Sequence, residues 1–440
     1  MADVQIQHAT IVTMNQAGDV ISNGTVCITD GAITYVGHGE TAPPPGAGCE
    51  ILSLPNRLLI PGLVNAHTHL PMSLFRGLAD DLPLHEWLED HIFPAEAAFI
   101  DADTIGPATQ LSVAEMLLSG TTTCADGYFL EEHVLQAAAS MGIRGVFGHG
   151  VIDFRAPGIP DPERKMEVLR RYLEGNNPGA LQTRAIFPHA VYTCSAETLR
   201  QAKQLADDAG CRFFIHIAET AFERQQCIDD HGGLSPIRYL DALGLLDRNT
   251  ILVHAVHVDD EECDLIAERG AAVVINTESN MKLASGIAPV AAYVDRRIPL
   301  ALGTDGCASN NDLDMFSEMS LTAKLQKLAC DDPAALPAET VLRMATIGGA
   351  AVLGLDDRIG SVETGKRADL VAVRTDVPHA APMYDPVSHI VYAAGAADVD
   401  TVLVDGKILV RDGLLLCADV QQICHSAESI AERIRACDRR

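Results

Sequence analysis

Basic residues, aromatics and paired cysteines are scarce in this chain, and each scarcity removes a class of function. Only 32 Lys and Arg stand against 60 Asp and Glu, a formal net charge of −28 over 440 residues. Phosphate backbones and anionic membrane surfaces are held by clustered cations, so neither nucleic acid nor membrane is expected as a partner. Acidity of this size keeps a protein in solution through like-charge repulsion. The 12 cysteines are scattered from Cys27 to Cys437 with no C-x-x-C pair. That pattern argues against a zinc ribbon or a disulfide framework and for reduced thiols in a cytoplasm. The opening residues, MADVQIQHATIV, lack a basic segment followed by a long apolar one, so no secretory signal is expected. No apolar run approaches the length that spans a bilayer. Internal repeats and low-complexity stretches are also missing.

What is abundant is apolar residues, at 48% of the chain. At this length they suffice for one large core and a smaller accessory unit. Between about Leu58 and Leu370, apolar runs suited to buried parallel strands recur: the run before His67, then Thr121 to Ala125, Ile143 to Phe147, Thr183 to Phe187, Arg212 to Ile217, Ile251 to Val256, Ala271 to Ile275 and Pro299 to Leu302. Helical stretches such as Asp103 to Ser119, Ala196 to Ala209 and Asp259 to Glu268 separate most of them. Eight strand–helix repeats predict an α/β fold, a (β/α)8 barrel. A doubly wound sheet is the rival, but no G-x-G-x-x-G follows the first strand. Both ends of the chain read as short strands, with Asp30-Gly31 and Asp405-Gly406 as hairpin turns. Neither end closes a core alone, so residues 1–57 and 369–440 are expected to build one small β-sandwich, the second piece carrying a terminal helix, around a barrel of residues 58–368.

The stretch LLIPGLVNAHTHL, Leu58 to Leu70, carries the first chemical signal. In a strand, residues two apart face the same way, so His67 and His69 present both imidazoles together, a start on a metal site. Other strand runs end comparably: His189 after the fourth, His216 and Glu219 at the fifth, His254 at the sixth, Asp305 after the eighth. Each has an ordinary reading alone, as a hydrogen-bonded core histidine, a turn aspartate or a helix-capping glutamate. Their shared placement at the C-terminal strand ends, where barrels of this kind keep their active sites, is what those readings leave unexplained. One divalent metal held by His67, His69, His216 and Asp305 explains it.

That constellation, with PGLVNAHTHLPMSLFRGLADDLPLHEWL, HIAET, LVHAVHV, SNMKLASG and GTDG in order over nearly the whole chain, resembles the amidohydrolase superfamily. Within it the sequence looks like the chlorohydrolase and aminohydrolase branch, closest to the 5′-methylthioadenosine/S-adenosylhomocysteine deaminases. No lysine that could bridge two metals is apparent on the fourth strand. The resemblance therefore implies one metal per subunit, zinc first, with iron or manganese as alternatives, and a homodimer or homotetramer. It implies hydrolytic deamination of a purine nucleoside, with Asp305 as ligand and base, Glu219 delivering a proton to ring N1, and His254 polarising the attacking water. The H-x-E with P-C-x-x-C signature of the other zinc deaminases is absent.

For substrate binding the resemblance implies Glu96 on the ribose hydroxyls, Trp87 as a wall, His189 on the purine and Arg164 near the ribose 5′ substituent. Ordinary readings stand beside these: core packing for Trp87, surface charge for Glu96 and Arg164. His149 falls where the family often has a second arginine. Histidine is a poor clamp for a carboxylate, so a preference for methylthioadenosine or adenosine over S-adenosylhomocysteine is expected. The rival functions are the same centre acting on guanine, 8-oxoguanine, cytosine or an s-triazine, and a non-catalytic scaffold barrel.

Overall fold

The computed structural model describes residues 3–438. Eight parallel strands, Leu63–Thr68, Thr121–Tyr128, Arg144–Val151, Gln182–Pro188, Phe213–Ile217, Thr250–His254, Ala272–Ile275 and Leu300–Leu302, lie side by side in chain order. The first and last meet at their C-terminal ends. There the Asn65 side chain donates to Thr304 Oγ1 at 2.7 Å and accepts from the Thr304 N–H at 3.0 Å, and the Asp305 N–H donates to the His67 carbonyl at 3.0 Å. The result is the (β/α)8 barrel expected from the strand–helix rhythm. Small and branched side chains such as Val64, Ala66, Ala125, Val146, Ala185, Val253, Val274 and Ala301 fill its interior with Phe187 and Phe214.

Both chain ends contribute to one nine-stranded mixed sheet. Its central strand, Arg57–Pro61, pairs in parallel with Val4–Val12 and antiparallel with Leu370–Arg374, and so joins the two terminal pieces. The apolar run assigned to the barrel from residue 58 is therefore divided. Leu58 to Pro61 belong to the terminal sheet, and the barrel begins at Leu63. Gly62 marks the break, because a Cβ there would lie 2.0 Å from Thr122 Oγ1. The two hairpin turns have the left-handed geometry that Asp-Gly favours, with φ of 49° and 73° at Asp30-Gly31 and 52° and 79° at Asp405-Gly406. They touch each other at Gly31 and Gly406. The sheet thus curls on itself around Ile6, Ile11, Ile28, Leu59, Leu370 and Leu403.

A buried ion pair ties this sheet to the barrel. Arg144, opening the third barrel strand and 1% exposed, donates through Nε and Nη2 to both Asp369 oxygens at 2.7 and 2.9 Å. Its Nη2 also reaches Asp405 at 3.1 Å. Helix Val420–Asp438 packs on helix Ile105–Leu118. Among the described residues, no helix is long and apolar enough to cross a membrane.

Candidate active site

The strand carrying the first two histidines is irregular where they begin. Asn65 pairs with Cys124 and Thr68 with Asp126, so three steps on one strand match two on its neighbour. That extra residue reverses the inside–outside alternation. Val64 and Ala66 face the barrel interior, and so do His67 and His69, while Thr68 turns outward to donate to Asp126 Oδ1 and the Ala125 carbonyl, each at 2.9 Å. Asp126 also accepts from the Leu70 N–H at 2.6 Å, which fixes the segment on both sides of His69.

Ring hydrogen bonds settle the histidine tautomers. His69 Nδ1 lies 2.6 Å from the Gly127 carbonyl and His216 Nδ1 lies 2.9 Å from the His189 carbonyl. A carbonyl only accepts, so each Nδ1 carries the proton and each Nε2 bears a bare lone pair. Those two Nε2 atoms face each other at 3.2 Å, and His67 Nε2 lies 3.3 Å from that of His216. Asp305 Oδ1 sits 3.3 Å from both His67 and His69 Nε2. Burial lowers His67 to a pKa of about 3 and holds His216 well below its ordinary value, so these rings are neutral. Burial pushes the Asp305 carboxyl up. The imidazole nitrogens 3.3 Å away outweigh it and keep the group well below the usual carboxylate range. Inward-facing lone pairs and one anion with no proton to share are a donor set for a divalent cation. These residues could hold one: ligand atoms of His67, His69 and Asp305, and of His67, His216 and His254, each converge within 4.8 Å.

Around this cluster the backbone turns sharply. Ala218, His254, Ala255 and Asp305 all have positive φ, from 45° to 72°. Left-handed conformations at non-glycine residues are costly and concentrate where side chains must be aimed. The Ala218 turn is held by Glu223, whose two oxygens accept from the Ala218 and Glu219 N–H groups at 2.8 and 2.7 Å. It directs Glu219 into the cavity. There Oε1 accepts from Ser285 Oγ at 3.0 Å and Oε2 stands 3.8 Å from His254 Nε2. Burial raises the Glu219 pKa. His254 Nδ1 is 3.0 Å from Asn280 Oδ1 and 3.2 Å from the Asn276 amide. Asp305 Oδ2 accepts from Ser279 and Ser309 at 2.7 and 2.9 Å, while Oδ1 accepts from the Gly306 N–H at 2.8 Å and faces the rings.

One cavity gathers His69, His189, His216, Glu219, His254 and Asp305 with Trp87 and Glu96. Met72, Leu84, Leu88, Phe93, Phe187 and Leu283 supply apolar wall. Glu96 is 3% exposed and accepts from the Tyr128 hydroxyl. Burial pushes its pKa up to about 7, against the pull of that hydrogen bond. His189, held at Nδ1 by Thr193 Oγ1 at 3.0 Å, is lowered by burial to about 3.

Two expected substrate contacts are not in this cavity. His149 points out of the barrel: Val146 and Gly150 on its strand face inward, so His149 lies on the opposite side. Its ring packs on Tyr172 at 5.1 Å and its Nδ1–H donates to the Gly150 carbonyl at 2.8 Å. Arg164 has 62% of its side chain exposed and is paired with Glu167 at 2.7 Å. Neither lines the cavity, so the expected discrimination against S-adenosylhomocysteine loses its ground at His149. Residues not singled out from the sequence include Tyr128, Glu223, Asn276 and Ser309. Ser279, Asn280 and Ser285 all lie in the motif SNMKLASG, which was noticed as a unit without roles for its members.

Comparison with known proteins agrees with this geometry. Residues 58–409 match the amidohydrolase family, and the chain belongs to it, a family of metal-dependent hydrolases. Within it, the chain is 42% identical over 434 residues, 99% of each protein, to a Syntrophobacter fumaroxidans protein named 5-methylthioadenosine/S-adenosylhomocysteine deaminase. It is 44% identical over 419 residues, 94% of this chain and 95% of the relative, to a 5'-deoxyadenosine deaminase of Methanothermobacter thermautotrophicus. Among solved structures, an adenosine deaminase from Xanthomonas campestris with bound zinc superposes with a TM-score of 0.93 at 38% identity, over 99% of both chains.

Proposed function

We propose that the chain is a metal-dependent hydrolytic deaminase of adenine nucleosides, converting 5′-methylthioadenosine, adenosine or S-adenosylhomocysteine to the inosine analogue and ammonia. The observation that carries this reading is a buried carboxyl, Glu219, whose pKa burial raises, set 3.8 Å from His254 and beside the His67/His69/His216/Asp305 cluster. Glu96 stands in the same cavity wall. When bound, a divalent cation supplies the Lewis acidity that lets water attack near neutral pH. Nitrogen and carboxylate donors suit zinc first, and also iron or manganese.

The chain's own residues do the rest. Glu219 gives its proton to ring N1 as C6 becomes tetrahedral, so no charge is stranded on the purine. Asp305 takes the proton of the attacking water, with Ser279 and Ser309 holding its other oxygen still. His254, fixed at Nδ1 by the asparagines, steadies the oxygen that adds to C6. A proton returned to the exocyclic nitrogen lets it leave as ammonia. Glu96 accepts from the ribose hydroxyls, His189 and Trp87 border the purine, and the low pKa of His189 keeps that ring neutral. A cytoplasmic homodimer or homotetramer with one metal per subunit completes the proposal.

The free-base reading, on guanine, 8-oxoguanine, cytosine or an s-triazine, leaves the buried Glu96–Tyr128 pair without a task. The scaffold reading leaves the whole donor cluster without one. Ammonia release from a panel of purine nucleosides and free bases, with and without a chelator, tests the proposal. Chelator-sensitive release from adenine nucleosides is expected, and none from any of them would defeat it. Glu96→Gln should raise KM for nucleosides and leave a free base unaffected.

A further inference from the structure

The mechanism leaves one buried acid without a task. Glu131 opens the helix Glu131–Met141 and is 0% exposed. Leu130 before it has a left-handed φ of 53°, a costly conformation for a bulky side chain. That turn sets the Glu131 carboxyl in hydrogen-bond contact with the carboxyl of Asp126, itself 1% exposed. Two acids thus meet out of reach of water.

Their other partners are unevenly shared. Asp126 Oδ1 accepts from the Leu70 N–H at 2.6 Å and from the Thr68 hydroxyl at 2.9 Å. Among the described residues, no donor stands in hydrogen-bond geometry to Asp126 Oδ2 or to either Glu131 oxygen. Nor does a basic side chain act on the pair: what does is burial, the two carboxyls themselves, Glu132, Thr68 and the Leu70 and Tyr128 N–H groups. Two ionised carboxylates in contact, with neither cation nor water between them, repel strongly. One shared proton turns the contact into a hydrogen bond. The donors decide which partner keeps the charge, because Asp126 has an N–H and an O–H to hold an anion and Glu131 has no such pair. Burial and the adjacent Asp126 charge hold Glu131 well above the usual carboxylate range, and the nearby Tyr128 N–H does not offset them.

The anion so held sits directly behind the donor cluster. Thr68 and Leu70 flank His69, whose Nδ1–H donates to the Gly127 carbonyl at 2.6 Å. Asp126 and Gly127 therefore grip His69 at three points: before it, after it and through its ring. We propose that Glu131 is a positioning residue for the metal site, a neutral carboxylic acid whose O–H donates to Asp126 and keeps that carboxylate as the anchor of the backbone on both sides of His69. This rests on His69 being a metal ligand, as in the function proposed above. It adds to that reading a residue that touches neither metal nor substrate.

The test separates a donor from a charge. Glu131→Gln keeps a neutral donor of the same shape, whereas Glu131→Met keeps the bulk and removes the donor. Zinc affinity of the full chain is measured by competition with a chelator. Losing a group that orients a ligand costs about tenfold to a hundredfold in metal affinity. Glu131→Met should weaken zinc binding by that factor, while Glu131→Gln should stay within about threefold of wild type. Infrared difference spectra of the zinc-loaded proteins at neutral pH, wild type minus Glu131→Gln, should show the carbonyl stretch of a protonated carboxylic acid that the variant lacks. Wild-type affinity in Glu131→Met overturns the inference, as does a loss in Glu131→Gln equal to that in Glu131→Met, or an unchanged carboxylic acid band. If Glu131→Met does not fold, the affinity and the spectrum of Glu131→Gln decide alone. Wild-type protein that binds no zinc defeats the metal-dependent reading and the inference with it, whereas zinc-dependent ammonia release with the wrong pattern in the variants sinks the inference alone.

Discussion

Replacing Tyr128 by phenylalanine removes one hydroxyl and, on the reading above, moves the pH dependence of substrate capture. Tyr128 is 3% exposed, and burial together with Glu96 holds its pKa well above the ordinary phenol value, so it is a permanent donor. Glu96 has its pKa pushed up to about 7 by burial, and the Tyr128 hydrogen bond is the influence that lowers it. A hydrogen bond to a charged group contributes roughly 1.5–3 kcal/mol, and about 1.4 kcal/mol corresponds to one pH unit. Its loss therefore raises Glu96 by about one to two pH units. A carboxylate is charged above its pKa. In the native protein the charged acceptor for the ribose hydroxyls is lost as pH falls through about 7, and in Tyr128→Phe it is lost one to two units higher. At pH 7 the charged fraction falls from about half to between about a tenth and a hundredth. The expected loss in kcat/KM for adenosine is roughly fivefold to fiftyfold, recovering in alkali, with a smaller change in kcat at saturation. Stopped-time ammonia assays from pH 6 to 9.5 measure it, and 2′,3′-dideoxyadenosine, which lacks the hydroxyls, is the control. An unmoved acid limb, or an equal loss on the dideoxy substrate, would refute the assignment of Glu96 to the ribose.

Three further outcomes follow from particular contacts. Asp369→Ala leaves the buried Arg144 guanidinium with only the Asp405 contact at 3.1 Å and should cost about 3 kcal/mol in urea unfolding, while Arg144→Met with Asp369→Leu should recover most of it, since Asp405 keeps Arg367 at 2.5 Å; a loss under about 1 kcal/mol for the single variant would sink the account. Glu219→Gln keeps the donor cluster intact and removes the acid, so kcat should fall by about a hundredfold or more at unchanged metal content, and metal loss measured by atomic absorption would contradict that division of labour. Asp259 is pushed up by burial, but Arg238, Arg224 and the Glu262 N–H outweigh this and lower it to about 2. Its contribution is then present above the unfolded-state pKa and lost as pH falls through about 2. With 42% of the side chain exposed, solvent screening limits it to roughly 1 kcal/mol, so the stability gap between wild type and Asp259→Asn should be flat above pH 5 and close below pH 4, as read by urea titrations.

How much of this was legible in the sequence depends on the period of each segment. Parallel barrel strands are buried on both faces, so they read as unbroken apolar runs, and the polar residues that end them stand out. This is why His67, His69, His189, His216, Glu219, His254 and Asp305 were visible as one set. Which face a residue takes is a matter of parity, and two strands show its use and its limit. At the third strand it was available and decisive: counting by twos from Val146 puts Gly148 and Gly150 inside and His149 outside. Position in a family pattern had drawn His149 toward the cavity against that count. At the first strand the count misleads, because the extra residue between Asn65 and Thr68 has no mark in the letters. The two histidines do share a face, but not the opposite one that the phase of Val64 and Ala66 assigns them. Arg164 carried its own warning in Glu167, three residues on and opposite in charge, a pairing that occupies both on one helix face.

The motif SNMKLASG shows the remaining limit. Its residues fall in the short helix Thr277–Lys282 and the turn after it, where neighbours in sequence point in different directions. Ser279 reaches Asp305, Asn280 reaches His254 and Ser285 reaches Glu219, so one eight-residue stretch holds all three groups assigned to the chemistry. No spacing rule announces this, because each contact crosses to a different strand end. It follows that a change in the helix backbone, such as Met281→Pro, should disturb the orientation of acid, base and histidine together, whereas Ser285→Ala should touch only the acid. The two variants therefore separate by pattern even where their overall losses are similar.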